Sequence, residues 1–96
     1  MGEKLKITYL KHAVDRILER GIEKEKIDNA ILNPDQIVIE EGRLVAHKKY
    51  FDKIKNKEYL YRIFFEKSEG EIKVITVYKT SKIHKYWEEV KSENNL

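Results

Sequence analysis

Apolar and polar positions change period several times along the chain, and each change marks a new element. In Leu5–Leu10, Leu5, Ile7 and Tyr9 share one alternating face, the two-residue period of a half-buried strand. From His12 the period becomes helical. Ala13, Val14, Ile17 and Leu18 fall on one side, and Gly21 supplies the left-handed stop expected just past a helix end. A second helix is predicted over Glu23–Leu32, with acids at its positive dipole end and Ile27, Ala30 and Ile31 on its inner face. Asn33-Pro34-Asp35 ends it, because proline disfavours the α conformation for the residue before it.

Beyond Pro34 the pattern is β. Gln36–Glu40 and Leu44–Phe51 flank Glu41-Gly42, a tight hairpin signal. Tyr59–Phe65 and Ile72–Tyr78 flank a second turn at Lys67–Gly70. Both are nearly continuous in apolar, β-branched and aromatic residues, which predicts central strands covered on at least one face. Ser81 is positioned to cap a last short helix that reaches Trp87, and Ser92–Leu96 reads as a frayed tail. The expected order is β-α-α-β-β-β-β-α in a single domain over 1–91. The fold class is α+β: two N-terminal helices packed on a twisted antiparallel sheet of four to five strands, closed by a short C-terminal helix.

The 96 residues include no cysteine, which excludes disulfides and thiolate metal sites. No apolar run approaches a membrane span, so a cytoplasmic protein is expected. Charged residues make up 39% of the chain, a Lys/Glu-rich composition of the kind found in heat-adapted proteins. The charge is uneven. Residues 23–41 hold six acids against Lys24 and Lys26, whereas residues 43–57 hold six bases, among them Lys48, Lys49 and Lys53, against Asp52 alone. The basic stretch is either an electrostatic footprint for a polyanion or a solvated hairpin that protects an edge.

Three sets of residues are candidates for chemistry. His12, Arg16 and Arg20 recur at i, i+4, i+8 along one helix flank, a repulsive spacing that helix stability alone would not select. They form either a solvated face or a phosphate-contacting surface with an imidazole available near neutral pH. Arg62 interrupts an apolar strand, so it must either face an anion-binding surface or pair with an acid such as Glu19. Tyr78, Lys79, His84 and Tyr86 cluster after the last strand, with Tyr86 and Trp87 also suited to anchoring the short helix. His47 and Lys48 alternate, so only one can share Arg62's face. The isolated glycines and the scattered His12, His47 and His84 offer neither a phosphate loop nor metal-ligand spacing, and no metal or cofactor is expected.

His12-Ala13, Arg16, Arg20-Gly21-Ile22, Asn33-Pro34-Asp35 and Thr76-Val77-Tyr78, in this order and spacing, resemble the domain-of-unknown-function family 4258, a relative of the RelE/ParE toxins. The resemblance covers about residues 7–87 and implies the RelE/ParE fold. RelE-like relatives cut messenger RNA without a metal; ParE-like relatives act on DNA gyrase. The implied function is therefore a toxin of a toxin–antitoxin system, expected to be a metal-independent endoribonuclease. Its catalytic residues would be His12 as acid/base, Arg16 and Arg62 as phosphate clamps, and Tyr78 or Lys48 as a secondary donor. Arg20, Lys48, Lys49, Lys53 and Lys79 would bind RNA. Expected partners are a cognate antitoxin protein and RNA, free or on the ribosome, with no membrane. The alternative is a non-catalytic module that binds a gyrase-type target, an antitoxin or uncleaved RNA.

Overall fold

The computed structural model describes residues 5–87, so the expected tail at Ser92–Leu96 lies outside the described residues. Eight elements follow in order: β1 (Lys6–Tyr9), α1 (Lys11–Arg20), α2 (Lys24–Leu32), β2 (Gln36–Glu40), β3 (Arg43–Asp52), β4 (Lys57–Ser68), β5 (Glu71–Thr80) and α3 (Ile83–Tyr86). The expected α+β class and element order are both present. The five strands form one sheet in the order β1-β5-β4-β3-β2, with β4 and β5 among the inner strands as their composition predicts. No helix among the described residues is long and apolar enough to cross a membrane.

The sheet is mixed, not antiparallel throughout. β2 through β5 are hairpin neighbours and run antiparallel, but β1 pairs parallel with β5, from Lys6 opposite Glu71 to Tyr9 opposite Val74. A short hairpin dictates antiparallel sense, whereas β1 reaches β5 only through the rest of the chain, so no turn fixes its direction. β1 also comes before the two helices.

Local chemistry sets the turns. Glu41 and Gly42 both have positive φ, 52° and 79°, the conformation that a two-residue hairpin matched to strand twist requires. At the β3–β4 turn, Asp52 Oδ1 accepts the N–H groups of Ile54 and Lys55 at 3.0 and 3.1 Å. Gly21 ends α1 in the left-handed region and donates its N–H to the Ile17 carbonyl. The N-cap of α3 is Lys82, and it is Thr80 Oγ1, not Ser81, that accepts the Lys82 N–H, at 3.0 Å.

The core lies between the helices and one sheet face. Ala13, Ile22, Ile27, Ala30 and Ile31 pack against Ala46, Tyr61, Ile63, Phe65, Ile72, Val74 and Val77. A register irregularity at Phe64/Phe65 places Phe64 opposite Thr76 but Phe65 opposite Val74, which leaves Ile75 as an extra residue on β5. The alternation skips there, so Ile72, Val74 and Val77 all reach the same core. This bulge is why β5 reads as an almost unbroken apolar run. α1 is shallower than its pattern suggests: Ala13 is buried, but Val14 is exposed and Leu18 is 75% exposed.

Ile63→Ala is therefore expected to cost about 2–5 kcal/mol by urea unfolding, through lost transfer energy and the cavity left behind. Leu18→Ala is expected to stay within about 0.5 kcal/mol of the parent. Equal effects at the two positions would contradict this placement of the core.

Candidate functional site

The sheet's second face, opposite α1 and α2, is partly polar. Strand register aligns Gln36 with His47, His47 with Arg62, and Arg62 with Tyr78, so one row of four side chains crosses β2, β3, β4 and β5. At its centre Arg62 is buried, its side chain 6% exposed, in a strand whose other inward residues are apolar. An unpaired guanidinium in such a place would cost several kcal/mol. Four neighbours prevent that. Arg62 Nη2 is ion-paired and hydrogen-bonded to Glu40 Oε1, and Arg62 Nε–H donates to His47 Nε2 at 3.1 Å. The guanidinium also lies over the Tyr86 ring at 4.1 Å, with Phe64 at 5.3 Å.

The bond from Arg62 fixes the state of His47. Because Nε2 accepts, Nδ1 carries the hydrogen and donates to Gln36 Oε1 at 3.1 Å. Burial pushes the His47 pKa down to about 4, helped by the adjacent Arg62 charge and partly opposed by Glu40. His47 is thus a neutral relay that orients Arg62, not a free acid or base near pH 7. Trp87 stacks on it at 6.0 Å, and Lys49 Nζ lies 3.9 Å from the Trp87 ring centre. Tyr86 and Trp87 accordingly anchor the C-terminal segment to this face, not to the core beneath the helices.

Above the row is a cleft of about 510 Å³, whose lining includes Arg20, Glu40, Arg62, Phe64, Tyr78 and Tyr86. β1 ends at Tyr9, opposite Val74, so the second half of β5 has no strand partner on that side among the described residues. There α1 supplies the wall. Arg16 lies 5.5 Å from the Tyr78 ring centre, and Arg20 lines the cleft one turn further on. Neither arginine has an ion-pair partner among the described residues.

The sequence-predicted site residues separate into two groups. Arg20, Arg62 and Tyr78 line the cleft, Arg16 borders it through its contact with the Tyr78 ring, and Lys49 shares its sheet face. The others do not converge. His12 is exposed in the first turn of α1, outside the cleft lining, and about 12 Å along the axis from Arg20 at 1.5 Å per residue. Lys48 is on the helix side, where its Nζ pairs with Asp35 at 3.3 Å. Lys53 is exposed in the β3–β4 turn. Lys79 touches the cleft rim, but its Nζ sits over the Tyr59 ring at 4.6 Å on the helix side. The basic stretch 43–57 is therefore not one surface, because strand alternation divides it. Arg62 pairs with Glu40, not Glu19. Glu40 and Gln36 escaped sequence reasoning altogether; the signal was the β2 alternation, which carries Gln36, Val38 and Glu40 onto Arg62's face. Among the described residues, no group of three or more His, Asp and Glu side chains could hold a metal ion.

One family model, described as "Domain of unknown function (DUF4258)", matches residues 9–79. That range contains Arg16, Arg20, Glu40, His47, Arg62 and Tyr78, while Tyr86 lies beyond it. No curated protein and no solved structure matches the chain.

The His47 environment sets a pH dependence. Its folded pKa lies below the ordinary value of 6.5, so the unfolded chain takes up the proton more readily. The stability tied to neutral His47 is complete above about pH 6.5 and is lost as pH falls towards 4, by about 3 kcal/mol at most. Urea unfolding at pH 7 and pH 4.5 should show a markedly smaller acid loss for His47→Gln than for the parent. Parallel losses in the two proteins would mean that His47 protonates freely.

Proposed function

The chain belongs to the DUF4258 family, whose description assigns no activity, and from the cleft we propose that it binds RNA, gripping a single-stranded segment by phosphate and base together. The observation that carries this reading is the buried Arg62, held on one side by Glu40 and His47 and stacked on Tyr86, at the foot of a cleft that Arg20 lines and Arg16 borders over Tyr78, neither with an ion-pair partner among the described residues. Arginine forks bind phosphate oxygens, and aromatic rings such as the half-buried Phe64, Tyr78 and Tyr86 can stack on unpaired bases. Fixing Arg62 before a ligand arrives lowers the ordering cost of binding.

Cleavage is the second reading, favoured by the carboxylate beside the guanidinium. Glu40 is 45% exposed and lines the cleft. In a toxin-type, metal-independent endoribonuclease, Glu40 takes the proton of the RNA 2′-OH, and that oxygen attacks the neighbouring phosphorus. The 5′-oxygen leaves with a proton from the Tyr78 or Tyr86 hydroxyl, and a 2′,3′-cyclic phosphate remains. Arg62 and Arg16 offset the charge that builds on the phosphate. His12 has no part in this scheme, because it stands outside the cleft. An acidic antitoxin protein would compete with RNA for the same arginines, consistent with the RelE/ParE resemblance.

Fluorescence anisotropy with a labelled oligoribonucleotide of about ten residues tests the binding claim. Affinity should fall steeply with salt, and Arg16→Ala combined with Arg20→Ala should reduce the log–log slope by about 1.4. Binding that ignores both salt and these substitutions would refute the reading. For cleavage, products formed in the presence of a chelator should end in cyclic phosphate, and Glu40→Gln should slow their formation by about 10²–10⁴-fold. RNA that is bound but never cut would leave the binding module alone.

A further inference from the structure

Away from the cleft, the outer edge of β2 is left open among the described residues. It is the last strand in the sheet order; β3 pairs with one side, and no strand pairs with the other among the described residues. Natural edges usually carry an inward charge, a proline or a bulge that prevents further pairing. β2 reads Gln-Ile-Val-Ile-Glu and has none of these between its ends. Ile37 is 50% and Ile39 70% exposed, both on the helix side of the sheet, and Leu32 at the end of α2 is exposed as well. Two isoleucines beside an unpaired backbone edge are a poor solvent surface and a good pairing surface.

We propose that this edge pairs with the same edge of a second copy of the chain, antiparallel and two-fold symmetric about Val38. An isologous contact requires a surface complementary to itself, and Gln-Ile-Val-Ile-Glu reads nearly the same in both directions. Centred on Val38, the register sets Ile37 against Ile39 of the second copy and Val38 against its counterpart. Gln36 then faces Glu40, an amide against a carboxylate and not two carboxylates together. Alternate residues of an edge strand point their backbone groups outward, either 36, 38 and 40 or 37 and 39. A centre at Val38 matches either set with itself, so the ladder closes in both cases. Moving the centre to Ile39 would set Glu40 against Val38, and moving it to Ile37 would set Asp35 against Ile39. The one like-charge pair in the chosen register is Asp35 with Glu41, and Asp35 is already held by Lys48 Nζ at 3.3 Å and the Lys49 N–H at 2.8 Å. The result is a continuous ten-stranded sheet with four isoleucines clustered on its helix side and the two clefts open on the other.

A five-residue contact is small beside the roughly 1,200–2,000 Å² of a stable interface, so the dimer forms at micromolar concentration and dissociates on dilution. Sedimentation equilibrium from about 1 to 300 μM should show monomer passing to dimer, and Ile39→Lys should remain monomeric throughout with an unchanged circular dichroism spectrum. Because the chain has no cysteine, the register can be read directly. A mixture of the Ile37→Cys and Ile39→Cys variants should form a disulfide dimer about tenfold faster than either variant alone, since only unlike positions stand directly opposite. A parent that stays monomeric at the highest concentration overturns the proposal. So does a dimer indifferent to Ile39→Lys, which would form through another surface, or a mixture that cross-links no faster than its components.

Discussion

Burying one guanidinium in the middle of a sheet constrains more of this molecule than any other single feature. Arg62 has its charge among apolar strand neighbours, and the surrounding residue choices follow from keeping it ionised there. Glu40 supplies the opposite charge from two strands away. His47 must be neutral and must present Nε2 as an acceptor, which in turn requires an acceptor for its Nδ1–H, and Gln36 provides one. Tyr86 stacks on the guanidinium and leaves it part of the cleft lining. A buried ion pair of this kind contributes little net stability compared with well-packed apolar residues. On the proposed function, the oriented guanidinium serves a ligand in the cleft above it.

Two irregularities of the sheet make room for that cleft. β1 stops after four residues, so α1 and not another strand borders the second half of β5, and its Arg16 and Arg20 reach the open face around that edge. The bulge at Phe64/Phe65 shifts the phase of β5, so that Val74 and Val77 enter the core while Thr76 and Tyr78 stay on the Arg62 face. Without the extra residue, the face that carries Val74 would also have carried Tyr78, and the aromatic wall would have been lost to the core.

Much of this was legible in the chain. Helix and strand periods located all eight elements, and Gly21, Pro34 and Glu41-Gly42 marked their ends because few residues adopt the backbone those places need. A single charge inside an apolar strand was enough to single out Arg62. What failed did so for physical reasons. Alternation reports which face a residue takes but not the sense of its strand, so the parallel pairing of β1 was invisible. A helical spacing of four reports a shared flank but not which end of it reaches the sheet margin, so His12 was grouped with Arg16 although only the later turns border the cleft. A run of lysines on a strand looks like one patch in sequence and is split by the pleat into Lys48 on one face and Lys49 on the other.

On the proposed function, Arg62 is there for its ligand contacts and not for the fold. Arg62→Met removes the charge while keeping much of the side-chain volume, and urea unfolding with RNA anisotropy on the same preparation tests the claim directly. The expected result is a protein that still folds but is about 1–3 kcal/mol less stable than the parent, because the half-exposed Glu40 returns to water while the buried His47 Nε2 loses its donor, with RNA affinity reduced at least about tenfold. A folded Arg62→Met protein that binds RNA as tightly as the parent would contradict it.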